Sequence, residues 1–188
     1  MKKIILSAFA LFVFGFAGAQ KKFEAKINPI GALFGTPDIS GEYIVNDNFG
    51  VELGVSFAFG KTTAISVNGS EKPTQSGLGF KLAGKYYFNP DEGCDGWYGG
   101  LYFRQESLSY SYPSGFSSAD YKANIVAAGI DIGKKWLFDS GVLIEIGFGV
   151  GRPLSESRTF GDSNNPNSKL DIELGIDFTG KLALGYRF

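Results

Sequence analysis

The sequence predicts an all-β fold, a single antiparallel up-and-down barrel of eight strands. Three features point there: apolar residues alternate with a period of two, turn-forming breaks recur about every ten residues, and charges keep to one parity of each segment. A period of two places each residue set on one face of a strand, whereas a helix would scatter both sets around its axis.

The N-terminus reads as an export leader. Lys2 and Lys3 precede the apolar run Ile4 to Phe16, and Ala17-Gly18-Ala19 supplies the small residues a signal peptidase reads. A cleaved signal peptide over 1–19 and one barrel domain over 20–188 are therefore expected. The apolar run is too short for a comfortable transmembrane helix, and no cysteine follows it to accept a lipid. Losing Lys2 and Lys3 leaves 16 basic and 19 acidic residues, so no basic excess suits a nucleic acid. Aromatics make up 15% of the chain, which argues against disorder.

Eight strands are expected at 23–34, 38–45, 49–60, 77–88, 97–111, 122–136, 142–152 and 170–188. Phe49, Val51, Leu53, Val55, Phe57 and Phe59 show the alternation most cleanly. From Leu170 to Phe188 one parity is apolar, while the other carries Asp171, Glu173, Asp177, Thr179, Lys181 and Arg187. Asn46-Asp47-Asn48 and Asp139-Ser140-Gly141 read as tight turns, and 89–96 as a moderate one. Longer polar loops are expected at 61–76, 112–121 and 153–169, with a short exception at Gly35-Thr36-Pro37. Short turns at one end and long loops at the other suit a barrel that crosses an outer membrane.

The charges set which face is inside. Glu24, Lys26, Glu42, Glu52, Lys81, Lys85, Arg104, Glu106, Asp131, Lys135, Glu145, Lys181 and Arg187 share the polar parity. A lipid-facing basic residue costs roughly 2–4 kcal/mol at the midplane, so a bilayer would force this set inward. Lys122, Lys134 and Arg152 fall on the apolar face near strand ends, where long side chains snorkel. Phe23, Phe49, Phe88, Trp97, Trp136 and Phe188 gather at the turn-side ends. Phe57, Phe59, Phe80, Phe103, Phe148 and Phe178 gather toward the loops, as two interfacial girdles would. The competing fold is a soluble sandwich with an aromatic core; it gives no reason for a leader or for aromatic bands.

The leader, the alternating segments and the terminal Leu184-Gly185-Tyr186-Arg187-Phe188 resemble the small eight-stranded outer-membrane β-barrel superfamily. That superfamily includes the transmembrane domain of outer membrane protein A. Lys26-Ile27-Asn28-Pro29 and Gly41-Glu42-Tyr43 also resemble small barrels of this kind. The resemblance implies an eight-stranded antiparallel up-and-down transmembrane β-barrel in the bacterial outer membrane. It further implies outer-membrane lipid around the barrel and the outer-membrane assembly machinery as the reader of the strand ending in Phe188. It carries no functional residue.

The inward charges are expected to pair in two layers that fill the lumen. Lys26, Glu42, Glu52, Lys85 and Glu145 form the lower layer, with Glu52 meeting Lys85 across a hairpin. Lys81, Arg104, Glu106, Asp131 and Lys181 form the higher one. No catalytic residue, cofactor or metal is assigned. Histidine is absent, and the oxygen-rich run Asp162 to Asn167 lacks the acidic final ligand of a helix-loop-helix calcium site. Gly147, Gly149 and Gly151 precede no helix, so they read as relief of crowding inside the barrel. Cys94 reads as an incidental thiol in a turn. The functional expectation is a structural or interaction barrel, with Tyr110, Tyr112, Phe116 and Tyr121 giving the middle loop contact-prone aromatics. The alternative is a narrow channel for small solutes or ions.

Overall fold

A computed structural model describes residues 22–33, 35–61, 74–111, 120–162, 165–170 and 175–188. The expected leader, Tyr112, Phe116, Asp171 and Glu173 lie outside the described residues. Among the described residues there are nine strands: β1 Phe23–Asn28, β2 Asp38–Asn46, β3 Phe49–Lys61, β4 Thr74–Phe88, β5 Gly96–Ser111, β6 Asp120–Leu137, β7 Val142–Asp162, β8 Asn165–Leu170 and β9 Asp177–Arg187. A short helical turn, α1 Pro29–Leu33, follows β1.

Eight of these strands close a ring. Sequential neighbours pair antiparallel from β1 to β7, β7 pairs with β9, and β9 returns to β1 with Ile27 opposite Leu184. β8 stands outside the ring, folded back on the outer end of β7 with Leu170 opposite Arg158.

Side chains point as the alternation requires, apolar outward and charged inward. Leu101 is 70% exposed, Ile132 58% and Leu53 56%, whereas Glu24, Glu42 and Glu145 are fully buried. Every one of the thirteen charges on the polar parity faces the interior. Lys134 faces outward, its ammonium 5.5 Å from the Trp97 ring centre and 5.1 Å from that of Trp136.

Three boundaries differ from expectation. β1 was expected to reach residue 34 but ends at Asn28, because Pro29 has no N–H to give a ladder and suits the first position of a helix. The Asn28 side chain caps that turn, accepting from the Gly31 N–H at 3.4 Å. At the other end, β9 starts at Asp177 rather than 170, since Asn165–Leu170 pairs back on β7 instead. For the same reason the loop expected at 153–169 is largely strand. A bulge where Val126 and Ala127 meet Ser155 and Pro153 shifts the register of β7 there.

The narrow ring leaves no room for side chains at several inward positions. A Cβ on Gly133 would collide with the Ile146 carbonyl oxygen and lie 2.5 Å from the Tyr98 hydroxyl; one on Gly149 would strike Asp131 and Thr179. Gly133→Ala is therefore expected to destabilise the barrel by about 1–3 kcal/mol, the cost of overpacking a filled interior. Gly54→Ala, whose Cβ would meet only ordinary contacts at 3.6–3.9 Å, should change stability far less. Equilibrium urea unfolding of both variants checks the difference.

Candidate functional site

The site is the interior itself, and strand register builds it. Glu24 on β1 lies opposite Glu42 on β2, which lies opposite Glu52 on β3. Three carboxylates thus stand side by side on one wall, an arrangement that like charges oppose. Lysines resolve the conflict. Lys26, one rung along β1, bonds Glu42, Glu52 at 2.7 Å and Glu145 at 2.6 Å. Lys85 on β4 reaches Glu52 at 2.7 Å and Glu145 at 2.6 Å. Lys135 crosses the lumen from β6 to Glu24 at 2.7 Å and Glu42 at 3.1 Å.

Tyrosines complete this layer. Tyr87 donates to Glu42 at 2.7 Å and Tyr98 to Glu145 at 2.8 Å, and their rings lie 4.5 Å from the Lys135 ammonium and 4.7 Å from that of Lys85. No buried side-chain nitrogen or oxygen among the described residues lacks a hydrogen-bond partner. That satisfaction is what allows so many charges to leave water. Glu42, Glu52 and Glu145 bring oxygens within 4.8 Å of one another, as a metal would need. The ammonium groups of Lys26 and Lys85 already stand on those oxygens, so the cluster carries its own counter-charge.

Below this layer the turn-side mouth is stoppered. The chain between β4 and β5, residues 89–95, folds over the end of the barrel, with left-handed backbone at Asn89 and Cys94. Cys94 is fully buried beside Ile44, Tyr87 and Tyr98, so it packs in the stopper rather than sitting incidentally in a turn. Its N–H donates to the Asp47 carbonyl at 2.5 Å and its thiol to the Asn46 carbonyl at 3.2 Å. Burial pushes the thiol pKa up to about 12. Arg187 locks the stopper to the wall, donating to Glu24 at 2.6 Å and to the carbonyls of Glu92, Gly93 and Cys94 at 2.9, 2.7 and 3.2 Å.

Above the acidic row lies a second, looser layer. Lys81 pairs with Asp131 at 2.7 Å, and Arg104 pairs with Glu106 and with Asp177, which also accepts from Tyr102 at 2.5 Å. The layers differ from expectation at Lys181. It was placed in the higher group, yet it reaches down to Glu52 at 2.6 Å and Glu145 at 3.2 Å, because its long stem bridges the gap between levels. Tyr87, Tyr98 and Tyr102 were not singled out from sequence, and Asp177, named on the polar parity of the last strand, was not counted among the lumen charges. All four share the parity of the inward charges, which was the available signal. Adding Asp177 to the thirteen expected charges makes seven acidic and seven basic groups in that set.

Two tests follow from this geometry. Glu42→Gln leaves Lys26, Lys85 and Lys135 short of buried counter-charge and should cost about 3–5 kcal/mol in unfolding free energy. Adding Lys135→Met should restore part of that loss, giving a non-additive double-mutant cycle. For the stopper, Cys94 should react with maleimide at pH 8 on the order of a thousandfold more slowly than in urea. Arg187→Gln should raise the folded-state rate about tenfold or more by freeing the turn, read from the labelling kinetics.

Comparison with known proteins adds the following. No curated protein matches the chain. A structural likeness exists to a major outer membrane protein from Thermus thermophilus, with 16% identity, a TM-score of 0.49, and coverage of 89% of this chain and 99% of that one. Residues 5–173 match the model of a family described as "Protein of unknown function (DUF3575)", and the chain belongs to that family.

Proposed function

We propose that the protein is an integral outer-membrane barrel, sealed at its turn side, that serves a structural or interaction role through its loop end. The observation that carries this reading is the inverted distribution of polarity. A belt of exposed residues such as Leu53, Leu82, Leu101, Ile130, Ile132 and Leu184 surrounds an interior of paired charges. Water would reject such a belt, whereas hydrocarbon requires it, and closing the sheet into a ring satisfies the backbone groups that lipid cannot. Exposed Trp97, Trp136, Tyr43, Tyr86 and Tyr186 at the turn-side ends fit an interfacial girdle on that side.

The sealed reading rests on the ion network and the stopper. A solute crossing from the loop side would meet buried Glu42, Glu145, Lys26 and Lys85, whose pairing leaves little free charge to attract it, and then the 89–95 turn. The strand ending near Phe188 fits recognition by the outer-membrane assembly machinery. The loop end then faces the exterior, where its partner would dock.

Reconstitution into phosphatidylcholine vesicles tests both parts. The protein should float with the lipid on a density gradient, and in a planar bilayer it should give no discrete conductance steps. A pellet without lipid would overturn the membrane reading. Discrete openings, lost on substitution of Glu145 or Lys85, would establish the narrow channel instead.

A further inference from the structure

Lys134 is an outward charge at the turn-side rim of the ring. Its neighbours on that face are Trp97, opposite it on β5, Ile146, opposite it on β7, and Trp136, two residues along β6. The strand period of two puts all four on the surface that the membrane reading assigns to lipid. β6 ends at Leu137, so the group stands where hydrocarbon would give way to headgroups.

Two tryptophan rings hold the ammonium, their centres 5.5 Å away for Trp97 and 5.1 Å for Trp136. The rings fix the position of the charge without neutralising it. No carboxylate among the described residues pairs with Lys134. The inward lysines differ, since Lys26, Lys81, Lys85, Lys135 and Lys181 each have one. Three N–H donors at the edge of a bilayer therefore await an anionic oxygen.

The charges nearby sharpen this demand. Asp47, Asp91, Glu92 and Asp139 are exposed on the turns of the same end. An anion is repelled by such a rim except where a cation is held. Among the described residues, the cations that this end does not bury are Lys134 and Lys22, and Lys22 precedes β1, several strands around the ring from β5 and β6.

On the membrane reading given above, we propose that Trp97, Lys134 and Trp136 bind the head of an anionic phospholipid of the phosphatidylglycerol kind, in the turn-side leaflet. Its phosphate oxygens accept from the Lys134 ammonium. Its acyl chains lie along Ile132, Ile130 and Leu101, exposed aliphatics that continue the same outward face toward the midplane. That apolar continuation selects a lipid over a free anion. A zwitterionic head brings its own cation, which meets Lys134 as a like charge beside rings that already serve one.

Trp97 and Trp136 are the two tryptophans of the chain, so its tryptophan fluorescence reports on this site. The test reconstitutes the protein in phosphatidylcholine vesicles that contain, at equal mole fraction, phosphatidylglycerol or phosphatidylcholine brominated near the head. Bromine quenches a tryptophan that it touches. The apparent affinity for the brominated phosphatidylglycerol should exceed that for the brominated phosphatidylcholine about fivefold, the effect of one lysine near an anionic lipid surface. Lys134→Gln should bring the ratio to about one, and Lys134→Arg, which keeps the charge, should retain it. Lys22→Gln should leave it unchanged. Equal quenching by the two lipids in the parent protein would overturn the site. An equal fall in the Lys22→Gln and Lys134→Gln proteins would also overturn it, since surface charge alone does that. Quenching by neither lipid would instead overturn the membrane reading on which the site depends.

Discussion

One constraint organises this molecule: three glutamates on neighbouring strands must share a dry wall. Glu24, Glu42 and Glu52 lie in a single row across β1, β2 and β3, where their mutual repulsion would push the strands apart. The cations that hold them come partly from elsewhere in the ring, Lys135 from β6 and Lys85 from β4, so each pair is also a brace across the lumen. Attraction between distant strands replaces the apolar core of a soluble protein. It works because every partner is saturated, since one uncompensated charge at this depth would cost several kcal/mol.

The rest of the interior follows from that brace. Tyrosines fill the spaces between lysine stems and carboxylates, giving Glu42 and Glu145 a further donor and Lys135 and Lys85 an aromatic face. Bulky rings inside so narrow a ring require glycine opposite them, which explains Gly133 and Gly147 against the Tyr98 hydroxyl and Gly151 against that of Tyr102. At the turn end Arg187 uses one face for Glu24 and the other for three carbonyls of the stopper, tying closure of the mouth to the same network. Among the described residues the loop end has no comparable layer. There the pairs are partly exposed, and the first strand stops early at Asn28-Pro29.

Much of this was legible before any coordinates. Alternation in 49–60 and in the last strand, with charges on one parity, was enough to orient every strand, because the strand period of two leaves a residue only two directions. The Glu52–Lys85 pair was legible too, since β3 and β4 follow one another in the chain and both residues lie on the inward parity near the turn end. Less accessible were the Asn28-Pro29 capping signal, which the surrounding alternation masked, and the return of Asn165–Leu170 onto β7. Alternation says which way a side chain points but not which strand lies beside it.

The sequence by itself determined the strands, their number in the ring, the inside and the outside, and the identity of the charged groups within. All of these depend on local periodicity and on the cost of placing a charge against hydrocarbon. Only the tertiary structure decided which charge meets which, that Lys181 belongs to the lower layer, that Cys94 is part of a stopper, and that the β1–β9 ladder stops at Ile27 opposite Leu184. Those outcomes depend on shear, strand length and the reach of side chains across the ring, quantities that arise only when distant segments close on one another.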